Sequence, residues 1–267
     1  MYLIYLVQSG SSVSSIQQSF YSLNYFHNAC SLENPCESRF VRCIFEGCRR
    51  LAIKPKAIHR QPVLPEHLSK LVLQFAHTSA KLPDIRDVCL CLLAYAGFLR
   101  FDEVSRLRWC DITPSECYFS ISINSSKTDQ IGKGSVRLIS KTLSPTCPCA
   151  MLSRYAVLGD RDFSSKEYLF QNISHSKSKG YSLRAGSQLS YTRAREVILG
   201  KFKAIGVPAG SIGLHSLRIG GASAAVNNGV PDNIIKFHGR WKSDSAKDLY
   251  CRTDIRHQLM ATASIGL

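Results

Sequence analysis

The chain predicts a mainly α-helical fold with a small three-stranded antiparallel sheet, divided into a short N-terminal unit and a larger C-terminal one. Apolar residues recur at helical spacing over most of the 267 positions. Between residues 109 and 139 the pattern changes to β-branched runs around a Gly- and Lys-containing loop. Residues 54–65 carry three prolines and three Lys or Arg residues without a sustained period, which reads as a linker.

The opening stretch, Met1 to Val7, is apolar and looks like the middle of a helix; it has neither a basic leader nor a small-residue cleavage site, so a secretory signal is not expected and the chain should be intracellular. From Ser12 to Asn28, Val13, Ile16, Phe20 and Leu23 follow helical spacing behind serines able to cap. Phe40 to Ile53 repeats the pattern with Val41, Ile44 and Phe45, interleaved with Arg42, Arg49 and Arg50. Together these predict a small helical bundle with a basic face. After the linker, Glu66 to Ala76 and Asp84 to Phe98 predict helices, the second apolar nearly all round and therefore central. Its apolar run falls short of the about 20 residues that a bilayer span needs. Trp109 to Ile112, Cys117 to Ile123 and Ser135 to Ile139 predict the three strands, with residues 127–134 as their connecting hairpin loop. Everything after Pro145 is predicted helical, with loops near residues 174–186 and 206–213.

Hydrophobic residues make up 45% and charged ones 20%, the balance of a folded globular chain. Lys and Arg number 34 against 19 Asp and Glu, a net charge of +15 that attracts a polyanion, with nucleic acid the leading candidate. The 11 cysteines are an odd count scattered in apolar stretches, which fits buried thiols better than a disulfide framework. Cys43 with Cys48, and Cys147 with Cys149, do not form the paired Cys-x2-Cys sets of structural zinc sites. No metal site is expected.

The C-terminal third carries the chemistry. His215 and Arg218 lie on one face at the start of a helix predicted to reach about Asn228, so both aim at one spot. A guanidinium there matches a phosphate's geometry. Val230-Pro-Asp opens the next helix, Trp241 lies just past it, and Ser243 can cap a third helix carrying Tyr250. A tyrosine can cleave a phosphodiester while keeping the phosphoryl group as an ester, if the site adds positive charge, an acid and a base. Taken singly, His-x-x-Arg reads as a surface pair, Trp241 as core packing and Tyr250 as one of 11 tyrosines.

As a set they carry more. His215-x-x-Arg218, Trp241 and Tyr250 nine positions after it resemble the C-terminal motif of the tyrosine recombinases, the phage integrase family. Ala96-Gly97-Phe-Leu-Arg100-Phe-Asp-Glu103 resembles that family's first arginine motif, and Ser126-Lys127-Thr128 its β-hairpin lysine motif. The resemblance runs from about residue 62 to 260. The wording of Ser126 to Gln130 and of His238 to Ser243 is similar to recombinases of eukaryotic mobile elements, Crypton-like elements or tyrosine-recombinase retroelements.

The resemblance implies a shortened helical core-binding (SAM-like) DNA-binding domain over residues 1–60 and a catalytic domain over 61–267, clamped around duplex DNA. It implies Tyr250 as nucleophile, forming a 3′-phosphotyrosyl link. Arg100 and Arg218 would hold the nonbridging oxygens, Lys127 would protonate the 5′ oxygen, His215 would accept the phenolic proton or stabilise the pentavalent state, and Trp241 would pack against or hydrogen-bond the phosphate. Glu103 would pin Arg100 from behind. It implies no metal or nucleotide cofactor, self-association as a tetramer on DNA, no membrane and no small-molecule substrate. A eukaryotic element would act in the nucleus, any other in the cytoplasm. Lys133 competes with Lys127, and His238 with Trp241. Two rival functions stay open: a type IB topoisomerase-like strand relaxation, and a domesticated element protein that binds DNA without cutting it.

Arg42, Arg49, Arg50, Lys54 and Lys56 are expected to touch the DNA backbone. Replacing Arg49 and Arg50 with alanine should reduce the slope of log affinity against log salt by about 0.9 per lost phosphate contact. An unchanged slope in a binding titration removes this patch from the interface.

Overall fold

The computed structural model describes residues 1–52, 60–124, 134–178 and 180–263, and the chain divides into two compact units, Met1–His59 and Arg60–Leu267. No helix among the described residues is long and apolar enough to cross a membrane.

The first unit holds α1 (Tyr2–Gln8), α2 (Val13–Ala29) and α3 (Arg39–Leu51). Ser12 caps α2 by accepting the Ser15 N–H at 3.2 Å, as its position before an apolar period predicts. Leu3, Ile16, Phe20, Phe45 and Cys48 form its core, with the Phe20 and Phe45 rings stacked at 3.9 Å. Asn34 ties down the α2–α3 connection: its amide donates to the Asn24 and Asn28 side chains at 2.8 Å each, and its oxygen accepts from Cys36 N–H at 3.0 Å. Of the basic face, Arg42 donates from Nε to the Cys36 carbonyl at 3.1 Å, Arg49 pairs with Glu46 at 2.7 Å, and Arg50 is exposed. Lys54 and Lys56 lie outside the described residues.

The second unit is built around α5 (Leu82–Ala96), whose residues 85–94 are all buried, so it is covered on every side. Before it comes α4 (Pro65–Phe75), after it α6 (Phe101–Arg106). Then β1 (Ile112–Pro114), β2 (Tyr118–Ile123) and β3 (Ser135–Ser140) form the antiparallel sheet in that spatial order. Following it are α7 (Pro148–Gly159), β4 (Gln171–Ser176), β5 (Gly180–Gln188) and α8 (Tyr191–Ala204). The chain closes with α9 (His215–Asn227), α10 (Asp232–Gly239), α11 (Asp244–Asp248) and α12 (Ile255–Ala263).

Two expectations need correction. Trp109–Asp111 is a 3-10 turn, not strand, because the Asp111 carboxylate accepts the Arg108 N–H at 2.8 Å and closes the chain on itself; the strand starts at Ile112. The region after Pro145 is not wholly helical, since β4 and β5 pair as a second, two-stranded sheet. That hairpin's fully buried residues are Leu183, which faces Ile173 across the strands, and the polar Gln171, so hydroxyl-rich neighbours hide its alternation. On β3, Val136 and Leu138 face solvent while Arg137 points inward with Ile139. The register explains it: Arg137 pairs with Ile121 and Ile139 with Phe119, both of which are buried, and side chains directly opposite share a face.

Glycines let α9 lie against α5. A Cβ on Gly221 would stand 2.1 Å from the Tyr95 carbonyl oxygen, and one on Gly220 the same distance from that of Val63. The Val63 N–H donates to the Ser216 carbonyl at 3.0 Å, which pins the incoming chain beside α9. Gly221→Ala should therefore destabilise by about 3 kcal/mol, at the upper end of overpacking costs. Gly200→Ala, on the exposed side of α8 with nothing within 4 Å, should stabilise by about 0.8 kcal/mol. Urea midpoints of the two variants test this pair of opposite signs.

Candidate active site

The end of α5 and the start of α6 shape one wall of the site. Phe98 takes a left-handed backbone conformation (φ 46°), which turns the chain so that Arg100 precedes α6. Glu103, one turn on, accepts the Arg100 backbone N–H at 2.8 Å through Oε2 and its guanidinium at 3.0 Å through Oε1. The Glu103 side chain is only 2% exposed. Burying a carboxylate is costly unless charge and hydrogen bonds compensate it, and two further arginines do so. Arg240 donates to Oε2 at 2.6 Å, and Arg218 comes within 3.9 Å.

The opposite wall comes from α9 to α11. Arg218 is fully buried in the first turn of α9 and donates to the Phe98 and Gly239 carbonyls, the latter at 2.7 Å. Its guanidinium carbon lies 4.8 Å from the Trp241 ring and 5.0 Å from the Tyr250 ring. Tyr250 packs edge-on to His215 and tilted on Trp241, each at 5.1 Å between ring centroids. The structure thus gathers Arg100, Glu103, His215, Arg218, Trp241 and Tyr250 into one constellation. Tyr250 itself follows α11 rather than sitting on it, because α11 ends at Asp248. Two anchors hold that segment in place. The Ser223 hydroxyl donates to the Tyr250 carbonyl at 3.3 Å and accepts the Arg252 N–H at 2.9 Å, while buried Lys247 pairs with Asp232 and, at 3.3 Å, with Asp248.

His238 is placed differently. Its Nε2 donates to the Ala96 carbonyl at 2.8 Å and its ring meets the edge of Phe98 at 4.7 Å, so it fastens α10 to the end of α5. The residue that reaches Tyr250 is Trp241. Lys127 and Lys133 lie outside the described residues. Arg42, Arg49 and Arg50 belong to the first unit.

Several buried N–H groups here have no acceptor among the described residues: Nε of Arg218, Nε and Nη1 of Arg240, Nε of Arg137 and Nε1 of Trp241. Orphaned buried donors cost about 1–3 kcal/mol each, and their convergence describes a site built for an anion. Arg137 and Arg240 were not singled out from the sequence. The signal for Arg137 is its alternation partner Ile139; for Arg240 it is the Gly239-Arg240-Trp241 turn, in which Arg240 has a φ of 59°. Beside this constellation opens a cleft of about 490 Å³, lined by Arg100, Phe101, Gln188, Tyr191, Leu214 and His215.

Partial burial, then the charges of Arg218, Arg100 and Arg60, push the pKa of His215 below the usual histidine value. A neutral imidazole near pH 7 can accept a proton from a phenol. Burial also lowers His238, followed by the opposing pull of its bond to Ala96 and the repulsion of Arg137, Arg240 and Arg218.

Residues 63–257 match the model of the phage integrase family. A stretch of 116 residues is 28% identical to the recombinase Cre of Escherichia phage P1, covering 43% of this chain and 34% of Cre. The fold is similar to XerH site-specific recombinase bound to a palindromic difH substrate, with TM-score 0.57 and 16% identity over 77% of this chain and 53% of that one. It is also similar to a lambda integrase dimer bound to a COC′ core site, with TM-score 0.59 and 15% identity over 94% of this chain and 62% of that one. The chain thus spans about a third of the length of Cre and about half of that of XerH.

Because His215 and His238 both bind protons less readily when folded, the unfolded chain takes them up first as pH falls below about 6.5. Their contribution to stability is full above that value and is lost as pH falls toward the lowered folded values. The urea midpoint should drop between pH 7 and pH 5, and drop less in the His215→Gln, His238→Gln double variant; equal slopes would contradict the assignment.

Proposed function

This chain belongs to the phage integrase family, and we propose that it is a site-specific tyrosine recombinase that breaks and rejoins double-stranded DNA through a 3′-phosphotyrosyl intermediate. One observation carries the reading: the Tyr250 ring is enclosed by His215, Trp241 and Arg218 beside buried N–H donors that lack an acceptor among the described residues. A core tyrosine has no need of such surroundings, whereas a nucleophile facing a phosphodiester needs a base and a positive lining.

In the proposed cleavage step the Tyr250 oxygen bonds to phosphorus as the bond to the 5′ oxygen breaks. The phenolic proton passes to His215, and the 5′ oxygen takes a proton from Lys127. Arg100 and Arg218 neutralise the nonbridging oxygens, and Trp241 offers its indole N–H. Glu103 sets the Arg100 guanidinium. Attack by a 5′ hydroxyl on the phosphotyrosyl bond runs the step backwards and rejoins a strand, so the scheme calls on no metal or nucleotide.

Partners follow from the same reading. A lambda integrase tetramer has been solved on a Holliday junction, and a tetramer on DNA is the assembly proposed for this chain. The first unit, with Arg42, Arg49, Arg50, Lys54 and Lys56, is proposed as a DNA-backbone-binding module. The wording around Lys127 and Trp241 supports an origin in a eukaryotic mobile element, and hence the nucleus as the place of action.

Incubating the full chain with a pool of nicked suicide duplexes, randomised across the cleavage region, should trap a protein–DNA adduct on a denaturing gel. Tyr250→Phe should abolish the adduct, and His215→Ala should slow its formation by about 10²–10⁴-fold. Absence of a Tyr250-dependent adduct would sink the enzymatic reading in favour of DNA binding alone. Relaxation of supercoils without exchange between two duplexes would favour the topoisomerase-like one.

A further inference from the structure

Three guanidinium groups crowd the buried carboxylate of Glu103, one more than the two assigned to the attacked phosphate, and a fourth, that of Arg137, is buried on the inner face of β3. Arg100, Arg218 and Arg240 all lie within 4 Å of this one carboxylate. Arg137 has no ion pair among the described residues, yet it is only 6% exposed, on the inner face of β3. Its guanidinium lies 5.1 Å from the centroid of Phe237, on the last turn of α10. The Arg240 side chain is 8% exposed. Arg240 directs Nη2 at Glu103 and has no acceptor for Nε and Nη1 among the described residues, and Arg137 has none for Nε.

The local backbone is built to keep Arg240 there. Gly239 has no room for a side chain, since a Cβ would stand 1.9 Å from the Trp241 ring. Arg240 adopts a left-handed conformation, which costs an ordinary L-residue about 1–2 kcal/mol. One carboxylate cannot take all five N–H donors of a guanidinium, and those that Arg240 has left over are shut away from water, so another acceptor has to meet them. The groups form a row: Tyr250 packs on Arg218, Arg218 approaches Glu103, Glu103 binds Arg240, and Arg137 lies over the ring of Phe237, whose carbonyl accepts the Arg240 N–H at 3.2 Å. A nucleic-acid strand presents a matching row, with one negative charge per nucleotide.

We infer that Arg240 and Arg137 form a second anion subsite, which binds the DNA backbone phosphate next to the one that Tyr250 attacks. This rests on the recombinase reading and goes further, because it assigns two residues to substrate binding and names the group they take. Arg240 is the principal contact, through Nη1 and Nε. Arg137 supports it from β3. The subsite fixes the strand on one side of the reacting phosphorus, so its loss reduces the rate of attack as well as affinity.

The test pairs protein variants with neutral phosphates. Suicide duplexes selected from the randomised pool are remade with a single methylphosphonate at each of the two phosphates on either side of the scissile one, and adduct formation is followed under single-turnover conditions. With the wild type, one of these positions should slow the reaction about 10- to 100-fold, the worth of a hydrogen bond between charged groups. Arg240→Ala should slow the all-phosphate duplex by a similar factor and show no further loss with the methylphosphonate at that position. Arg240→Lys should recover part of the rate. Losses that multiply at every position, or an Arg240→Ala variant as fast as the wild type, would overturn the subsite. Should Arg240→Ala fail to fold by circular dichroism, Arg137→Gln and Arg240→Lys are read against the same duplexes, with the same two outcomes. A wild type that forms no adduct on the all-phosphate duplex refutes the recombinase reading itself, so the two failures are distinct.

Discussion

The buried carboxylate of Glu103 is the constraint on which the site depends. It closes the first turn of α6 by accepting the Arg100 N–H, and it is the charge that allows Arg100, Arg218 and Arg240 to lie close together out of water. Without it, three guanidinium groups would repel one another in a medium where that repulsion is poorly screened, and each would carry an uncompensated desolvation cost. With it, the excess of positive charge is tolerable but not cancelled. An interior left with that excess is preorganised to take an anion, because the cost of arranging the donors has already been met in folding.

The same carboxylate joins elements far apart in sequence. Arg100 is the residue before α6 and Glu103 lies in its first turn, Arg218 belongs to α9 and Arg240 to the turn after α10, so one side chain fastens the end of α5 to the helices that lead to Tyr250. Arg218 extends the link through the Phe98 and Gly239 carbonyls, and His238 through that of Ala96. The tyrosine segment is held by side chains of α9 and α11. The Ser223 hydroxyl binds on either side of Cys251, the Asn227 amide binds the Arg252 carbonyl at 3.3 Å and the Asp254 N–H at 3.1 Å, and Lys247 makes its ion pairs at the end of a short α11. In the proposed reaction these contacts would set where the tyrosine oxygen stands relative to the arginines.

How much of this is legible in the sequence depends on how local each signal is. Arg100 and Glu103, or His215 and Arg218, are one helical turn apart, so spacing alone puts each pair on one face. Trp241 and Tyr250 are linked by a short capped turn whose Ser243 signal is equally local. Arg137 is hidden because an arginine between Val136 and Leu138 reads as the polar position of a strand. Only the cross-strand pairing with Ile121 shows that the apolar neighbours face outward. Arg240 is hidden because a left-handed arginine is energetically disfavoured, and tertiary contacts with Glu103 decide its conformation. The β4–β5 hairpin escapes for a third reason: its fully buried residues are Leu183 and the polar Gln171, and serines between apolar residues leave no period to read.

The charge excess also bears on the base. Partial burial, then the charges of Arg218, Arg100 and Arg60, lower the proton affinity of His215, so the cations that would hold a phosphate in the proposed reaction also disfavour the imidazolium. In the proposed reaction a phosphodiester would place a negative charge among those arginines and offset part of their repulsion, which would raise the affinity of His215 for a proton. Proton transfer to His215 would then be coupled to substrate binding through the shared electrostatics of Glu103 and its arginines. On this reading the net charge of the arginines would do more than hold a strand, since it would also set the proton affinity of the proposed base.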